Sequence, residues 1–255
     1  MDTLICGLKT EYLISGEGEI PVVLLHGWGS SFDVYKGIMS ELGDRATFYA
    51  VNFPGCGGSE VMKTPWNIEN YCDFVTEFLS FAGVDVGKAV FIGHSHGGRV
   101  ILSLAGSGRI SPSKIVLLDS AGIVAEKTPR QKRRAKNFKR IKRVLTLPVI
   151  KSFSGGLLDK ARKHYGSADY NAAPPVLRNT MVSLVNTDLR DILGNIKCPT
   201  LLIWGEKDTD TPLSSAEIIK EKIADSGLCV IEGAGHFSFI EKPYTAHRIL
   251  QSFIK

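Results

Sequence analysis

The most informative stretch of this sequence is Ala89-Val90-Phe91-Ile92-Gly93-His94-Ser95-His96-Gly97-Gly98. Its first four residues form a short run that is apolar on both faces, which predicts a buried strand. Helical spacing of apolar residues follows from position 100 onwards. A serine on so tight a strand-to-helix turn needs small residues on both sides, and the turn directs its hydroxyl out of the sheet towards helix N-terminal amides. The stretch therefore predicts a nucleophile, Ser95.

Similar apolar runs recur on both sides of this turn and alternate with helically spaced segments. Runs that are apolar on both faces are typical of strands in a helix-covered parallel sheet. The alternation predicts an α/β fold with a doubly wound, mostly parallel sheet. Residues 3–20, which contain three glycines, predict an antiparallel hairpin at the sheet edge. The predicted parallel strands are residues 21–25, 47–51, 89–92, 115–118, 200–204 and 228–231.

The alternation is interrupted once, between residues 123 and 186. Within this interval, residues 127–145 have the pattern of a basic amphipathic helix, and glycine- and proline-rich pieces follow. Helices inserted into a parallel sheet are expected over the carboxyl ends of the strands, where ligands bind. We therefore predict an α/β core at 1–122 and 187–255, with 123–186 as a helical cap.

Composition is that of a compact globular protein, with 44% hydrophobic residues in 255, and it excludes disordered and disulfide-stapled classes. The five cysteines show no metal-ligand or redox spacing, which favours free thiols in a reducing compartment. No apolar run approaches the roughly 20 residues of a membrane span, and the first residues lack a signal-peptide pattern. We therefore expect a soluble, cytoplasmic protein.

Positive charge is concentrated in one segment. Residues 127–151 hold 11 of the 31 Lys and Arg residues and no acid, so the rest of the chain has 20 basic against 26 acidic residues. This segment is interpreted first as a solvated helix face. Two alternatives are attraction of a substrate that carries carboxylate or phosphate, and docking on an acidic membrane or partner. Nucleic-acid binding is disfavoured, because only Phe138 lies among the charges.

A nucleophilic serine needs a general base and a group that orients it. His236 lies in the loop Gly233-Ala234-Gly235-His236-Phe237, which follows the last predicted strand and would project over the same sheet edge as Ser95. For the acid we favour Asp208, just past the strand at 200–204. Asp119, at the end of its own strand, and Asp210, two residues further along the loop, stay open as rivals.

An acyl-transfer site also needs backbone donors for a developing oxyanion. The amide of His96 follows the nucleophile directly. The second predicted donor is the amide of Trp28, in the glycine-containing loop His26-Gly27-Trp28-Gly29. The Trp28 indole either lines an acyl pocket or is buried in the core, and both options stay open.

Together these motifs resemble those of the α/β-hydrolase fold superfamily, in the family's order and over all of the chain except the predicted cap. One departure is Asn52, where many relatives have aspartate, at a position that is structural. Ser95 excludes the branches with an aspartate nucleophile. The matching motifs are the oxyanion loop 25–29, the loop 52–59, the elbow 93–98, the acid loop 205–212 and the histidine loop 233–243.

This resemblance implies a serine hydrolase with a Ser-His-Asp triad and neither metal nor organic cofactor. It does not name the substrate, because the fold hosts many acyl chemistries. We favour a small-molecule carboxylic ester as the substrate, and an anionic ester is one option. The protein itself is expected to be a monomer or homodimer. Alternatives are a carbon–carbon hydrolase of the meta-cleavage type and a triad-bearing small-molecule sensor. A prolyl aminopeptidase is disfavoured, because such enzymes bind a substrate ammonium with acidic cap residues, whereas the predicted cap here is basic.

Overall fold

The computed structural model describes residues 1–124 and 173–254, together with Arg133, Lys136, Asn137 and Arg140. These residues form one eight-stranded sheet in the order β1-β2-β4-β3-β5-β6-β7-β8. The two pairings that involve β2 are antiparallel, and the other five are parallel. The strands are β1 Asp2–Ile5, β2 Leu8–Ser15, β3 Ile20–Leu25, β4 Ala46–Val51, β5 Val90–His94, β6 Lys114–Leu118, β7 Thr200–Gly205 and β8 Ser226–Ile231.

Seven α-helices lie wholly within residues 1–124 and 173–254. They are α1 Lys36–Leu42, α2 Ile68–Phe81, α3 His96–Gly106, α4 Pro175–Val185, α5 Leu213–Lys222, α6 Ser238–Glu241 and α7 Pro243–Phe253. The sequence-based prediction of a mostly parallel α/β sheet is confirmed, and each of the six predicted strands is present within two residues of its expected bounds. The predicted edge hairpin is the β1–β2 pair.

The core has two layers, one on each face of the sheet. In β3, Val23 and Leu25 pack in the layer formed with α2, α3 and α5, whereas Val22 and Leu24 pack in the layer formed with α1 and α7. Successive side chains of a strand point to opposite faces, so a strand covered on both faces must be apolar at every position. This is why the strand sequences are continuous apolar runs.

Only part of the predicted cap can be described. Helix α4 lies in that interval, and Leu184 on it is buried in the core layer with α2 and α3. The backbone N–H of Trp66 also donates to the Thr180 hydroxyl of α4, at 2.9 Å. The four described residues of the basic run are helical and exposed. The rest of the predicted basic helix 127–145 and the glycine-rich piece after it lie outside the described residues. The predicted proline-rich break is described in part: Pro174 caps α4, and Pro175 begins it. The division into core and cap stays a prediction.

All five cysteines are free thiols in this structure. Across residues 1–124 and 173–254, no helix is both long enough and apolar enough to cross a membrane.

Candidate active site

Ser95 sits between β5 and α3 with a left-handed backbone, at φ 49° and ψ −111°. A residue other than glycine adopts such a conformation at a cost of about 1–3 kcal/mol. Backbone hydrogen bonds hold the turn in place: the Ser95 N–H donates to the Leu118 carbonyl at 3.1 Å, and its carbonyl accepts from Ala121 at 2.9 Å. The strained turn is therefore anchored to the end of the neighbouring strand β6.

Glycines around this turn are required by close backbone approach. A Cβ on Gly97 would lie 1.8 Å from the Leu25 carbonyl oxygen, and one on Gly93 would lie 2.6 Å from the Gly98 nitrogen. A Cβ on Gly98 would lie 2.1 Å from the Ser120 hydroxyl. Helix α3 can therefore pack against the ends of β3 and β6 only without side chains at these positions. The small residues expected beside the nucleophile are explained by this packing.

The Gly97→Ala variant should lower the free energy of unfolding by about 3 kcal/mol, because the new methyl group would overlap main-chain atoms that cannot move aside. Gly227→Ala is the matched control: an added Cβ there meets nothing within 4 Å, and the change should stay below about 0.5 kcal/mol. Urea unfolding of both variants measures the two values. Equal effects would contradict the close packing of α3 on β3.

His236 lies between Ser95 and Asp208. Its Nε2 is 3.0 Å from the Ser95 hydroxyl oxygen, and its Nδ1 is 2.8 Å from Oδ2 of Asp208. Since a carboxylate only accepts hydrogen bonds, the proton of the neutral imidazole belongs on Nδ1, which leaves Nε2 free to accept from the serine. The three predicted catalytic side chains therefore form one continuous hydrogen-bonded chain.

Asp208 is held by donors other than the histidine. Its Oδ1 accepts from the backbone N–H groups of Asp210 and Thr211, at 2.8 and 3.0 Å. Its Oδ2 also accepts from the Thr211 hydroxyl at 2.6 Å. Burial favours the neutral acid, but the hydrogen bonds from His236 and Thr211 outweigh burial and lower the pKa of Asp208. The group is thus a fixed carboxylate. Thr211 was not anticipated from the sequence.

Asp119, the first rival for the acid, does not contact the imidazole. Its Oδ1 accepts from the Gly205 N–H at 2.7 Å, and its Oδ2 accepts from the N–H and hydroxyl of Ser238, at 3.0 and 2.7 Å. Burial raises its pKa to about 7, against the lowering effect of these hydrogen bonds. Asp119 therefore joins the end of β7 to the start of α6. In this way it braces the two loops that carry Asp208 and His236.

Asp210, the second rival, contributes its backbone N–H to Asp208, and the residue lines the cavity beside His236. Burial alone would lower the pKa of His236. The hydrogen bond and charge of Asp208, with the charges of Asp210 and Asp119, outweigh burial and raise that pKa. The geometry thus brings Asp208, rather than either rival, against the histidine.

The acid limb of the pH profile should follow His236, because only the neutral imidazole accepts the serine proton. Removing one negative charge in Asp210→Asn makes the protonated imidazole less favourable, so the limb should move to lower pH. Measuring kcat/KM for a neutral ester between about pH 5 and 9 at fixed ionic strength checks this. A limb that stays in place or moves to higher pH would contradict the electrostatic assignment.

The residues that carry the predicted oxyanion donors, Trp28 and His96, line the same cavity as Ser95. The first N–H groups of α3, starting with that of His96, have no carbonyl partner within the helix. Trp28 follows β3 and lines the same cavity as Ser95 and His96. A Cβ on Gly27 would lie 2.6 Å from Nδ1 of His94, so the loop is pressed against the elbow. The Trp28 indole both lines the cavity and packs on the core. The role of the two amides stays a prediction.

Two other histidines have structural partners. His26 donates from Nδ1 to the Gly27 carbonyl at 2.7 Å, and its Nε2 accepts from the Phe53 N–H at 2.9 Å. His94 donates from Nε2 to the backbone carbonyl of His236 at 2.8 Å. Burial lowers the pKa of His26 to about 4 and that of His94 to about 3. Both rings are therefore neutral braces of the site, a role that the sequence did not reveal.

The histidine loop is also held by Glu241. Its carboxylate accepts from the backbone N–H groups of Gly235 and Phe237, at 2.8 and 3.3 Å. Asn52 has a comparable role in its loop: its side-chain oxygen accepts from the Phe32 N–H at 2.8 Å, and its side-chain nitrogen donates to Glu11 at 2.6 Å. These motif residues thus hold the loops around the three predicted catalytic side chains.

A cavity of about 310 Å³ opens beside Ser95. Asp210, Thr211 and His236 also line it. Apolar residues of α4 and of two loops form much of the remaining wall, namely Ala121, Met181, Leu184, Val185 and Phe237. The cavity also includes Arg99, which the sequence analysis did not single out. In the described part of the chain, no group of three or more His, Cys, Asp or Glu residues is placed to bind a metal ion.

Comparison with known proteins finds hydrolases and esterases. A family model described as alpha/beta hydrolase fold matches residues 20–243. The pimeloyl-[acyl-carrier protein] methyl ester esterase of Proteus mirabilis is 27% identical over 240 residues, which cover 89% of this chain and 90% of that protein.

Two solved structures are similar over nearly their whole length. An esterase from Exiguobacterium antarcticum has a TM-score of 0.76 at 23% identity, over 100% of this chain and 99% of that one. A meta-cleavage product hydrolase from Pseudomonas fluorescens IP01 has a TM-score of 0.73 at 19% identity, over 100% and 97%. At these identities the likeness shows a shared fold.

Proposed function

Since this chain belongs to the α/β-hydrolase fold family and is an enzyme of that family, we propose that it hydrolyses small-molecule carboxylic esters through Ser95, His236 and Asp208. The observation that carries the proposal is the continuous hydrogen-bonded chain from the Ser95 hydroxyl through both nitrogens of His236 to Asp208. That arrangement activates a serine nucleophile. The name of the Proteus mirabilis relative, a methyl ester esterase, supports an ester as the substrate.

In the first half of the reaction, the Ser95 oxygen attacks the ester carbonyl carbon while its proton moves to Nε2 of His236. The carbonyl oxygen becomes an oxyanion, which accepts hydrogen bonds from the amides of Trp28 and His96. The tetrahedral intermediate then collapses. The carbon–oxygen bond to the alcohol breaks, the alcohol takes the proton from His236, and the acyl group stays on Ser95.

In the second half, water replaces the alcohol. His236 takes a proton from water as the hydroxide adds to the acyl carbon, and the same amides hold the second oxyanion. Collapse breaks the bond to Ser95, which recovers its proton from His236, and the carboxylic acid leaves. Asp208 keeps its charge throughout and stabilises the protonated imidazole. No step requires a metal or an organic cofactor.

The acyl-enzyme is tested by partitioning. Several esters with one acyl group and different alcohols are hydrolysed in the presence of methanol, and the ratio of methyl ester to acid is measured. A shared acyl-enzyme gives the same ratio for every leaving group, because the alcohol has left before the branch point. A ratio that changes with the leaving group would contradict the mechanism.

Substrate class is tested in the same preparation. p-Nitrophenyl acetate, butyrate and octanoate should turn over steadily, and the preferred chain length sizes the acyl pocket. Turnover of a 2-hydroxy-6-oxo-dienoate without turnover of any ester would instead support the carbon–carbon hydrolase. Stoichiometric ligand binding with turnover below about one per minute would support a sensor.

A further inference from the structure

Arg99 is buried beside the nucleophile. It lies one turn after Ser95 on α3, where residues four apart share a helix face. Both residues line the same cavity, and only 8% of Arg99 is exposed. Its position is fixed through the main chain, because its N–H donates to the Ser95 carbonyl at 3.1 Å.

The Arg99 guanidinium has no counter-ion among residues 1–124 and 173–254. Neither an ion pair nor a side-chain hydrogen bond involves it anywhere in the described part of the chain, and its Nε is buried without a partner. Burial lowers the pKa of Arg99 to about 10, so the group stays protonated at neutral pH. Buried charges in proteins are normally paired or hydrogen-bonded, because desolvation is costly. An uncompensated one on a cavity wall indicates a site that a ligand completes.

None of the described groups that line the cavity with Arg99 supplies a compensating negative charge. His96 is the neighbouring titratable residue, and burial, with the charge of Arg99, lowers its pKa well below the usual value. Ala121, Met181 and Leu184 on the cavity wall are apolar. Asp210 lines the cavity too, but its charge acts on His236, and burial is the single cause that shifts the pKa of Arg99.

We propose that Arg99 binds a carboxylate of the substrate, so that the ester attacked by Ser95 is monoanionic. This inference rests on the proposed function and specifies its substrate class. Guanidinium groups bind carboxylates with two parallel hydrogen bonds. Four residues of helix separate the two positions by about 6 Å along the axis. A carboxylate a few carbon atoms from the scissile carbonyl can therefore reach Arg99 while Ser95 attacks.

The test compares kcat/KM for two matched substrates, one anionic and one neutral, and uses the ratio of the two values. One is the mono-p-nitrophenyl ester of adipic acid, and the other is its neutral counterpart, in which the far carboxyl is an amide. In Arg99→Met, kcat/KM for the anionic ester relative to the neutral one should fall by about 50-fold. Arg99→Lys, which keeps the charge but not the fork, should give an intermediate ratio. Any general damage to the site cancels in the ratio, and an Arg99→Met ratio within threefold of the wild type would overturn the proposal.

The substrate carboxylate can lie on the acyl side or on the alcohol side of the ester, and the same Arg99 variants test both positions. Half-esters of diacids with four to eight carbons carry it on the acyl side, and acetyl esters of hydroxy acids carry it on the alcohol side. Dependence on Arg99 in either series supports the proposal and locates the scissile bond relative to Arg99. Independence in both series overturns it.

A binding measurement separates this proposal from the proposed function. Adipate and adipamide are titrated calorimetrically into the Ser95→Ala protein and into the Ser95→Ala, Arg99→Met protein. Adipate should bind only when Arg99 is present, whether or not the chain is an esterase. If the protein hydrolyses no ester but binds adipate only when Arg99 is present, the proposed reaction is overturned and the anion site at Arg99 is supported. Equal adipate binding by both proteins would overturn the site alone.

Discussion

Ser95→Ala should lower kcat by about 10⁵-fold on every ester that the wild-type enzyme hydrolyses, with little change in melting temperature. Among the described residues, the Ser95 hydroxyl is the nucleophilic group that contacts Nε2 of His236, at 3.0 Å. What survives should be the small rate that oriented binding and the oxyanion donors provide without a nucleophile. Stability should hold because the side chain has no other hydrogen bond in the described residues.

Ser107→Ala is the matched control. Ser107 lies just past the other end of α3, where its hydroxyl donates to the Ser103 carbonyl at 2.6 Å. It is not among the residues that line the cavity. Its kcat should stay within twofold of the wild-type value. Comparable loss in both variants, or ester turnover in Ser95→Ala within tenfold of the wild type, would contradict the assignment of the nucleophile.

Asp208→Asn should lower kcat by about 10³- to 10⁴-fold, through the proton position of the histidine rather than through the shape of the site. Asparagine can place its amide N–H groups against Nδ1 of His236, which then becomes the acceptor. The imidazole proton moves to Nε2, and the ring can no longer accept the proton of Ser95. The acid limb of any remaining activity should also move to lower pH, because the charge that raises the pKa of His236 is gone.

Asp119→Asn distinguishes the two aspartates. Its carboxylate accepts three hydrogen bonds from Gly205 and Ser238. An amide can accept at only one of the two oxygen positions, so the free energy of unfolding should fall by about 1–3 kcal/mol. The activity of the folded fraction should fall much less than in Asp208→Asn. Our acid assignment would be wrong if Asp208→Asn kept activity within tenfold of the wild type while folded Asp119→Asn was inactive.

Much of this architecture follows from local sequence patterns. Strands covered on both faces must be apolar throughout, as residues 22–25 of β3 are, so the strand positions and the mostly parallel pairing could be predicted. The elbow at Ser95 could also be predicted, because the close packing there requires glycine at positions 93, 97 and 98, and the sequence has glycine at all three.

Other features depend on contacts between distant segments and could not be predicted. Asp119 and Asp208 both follow strands at the same sheet edge. The sequence favoured Asp208 but left Asp119 open, and their different hydrogen-bond partners in space separate them. The sequence drew attention to the 11 basic residues of 127–151, whereas in the described part of the chain the cation without a counter-ion beside Ser95 is Arg99. Burial and the absence of a counter-ion are properties of packing, and neither leaves a pattern in one sequence.

The most direct test of the central claim is to label the protein with a fluorophosphonate and locate the adduct by peptide mass spectrometry. The reagent forms a stable phosphonyl ester with an activated serine, so its site reports which hydroxyl His236 activates. The account predicts one adduct per chain, on Ser95, with ester hydrolysis lost in proportion to labelling. An adduct on another residue, or full hydrolysis in protein labelled at Ser95, would contradict it.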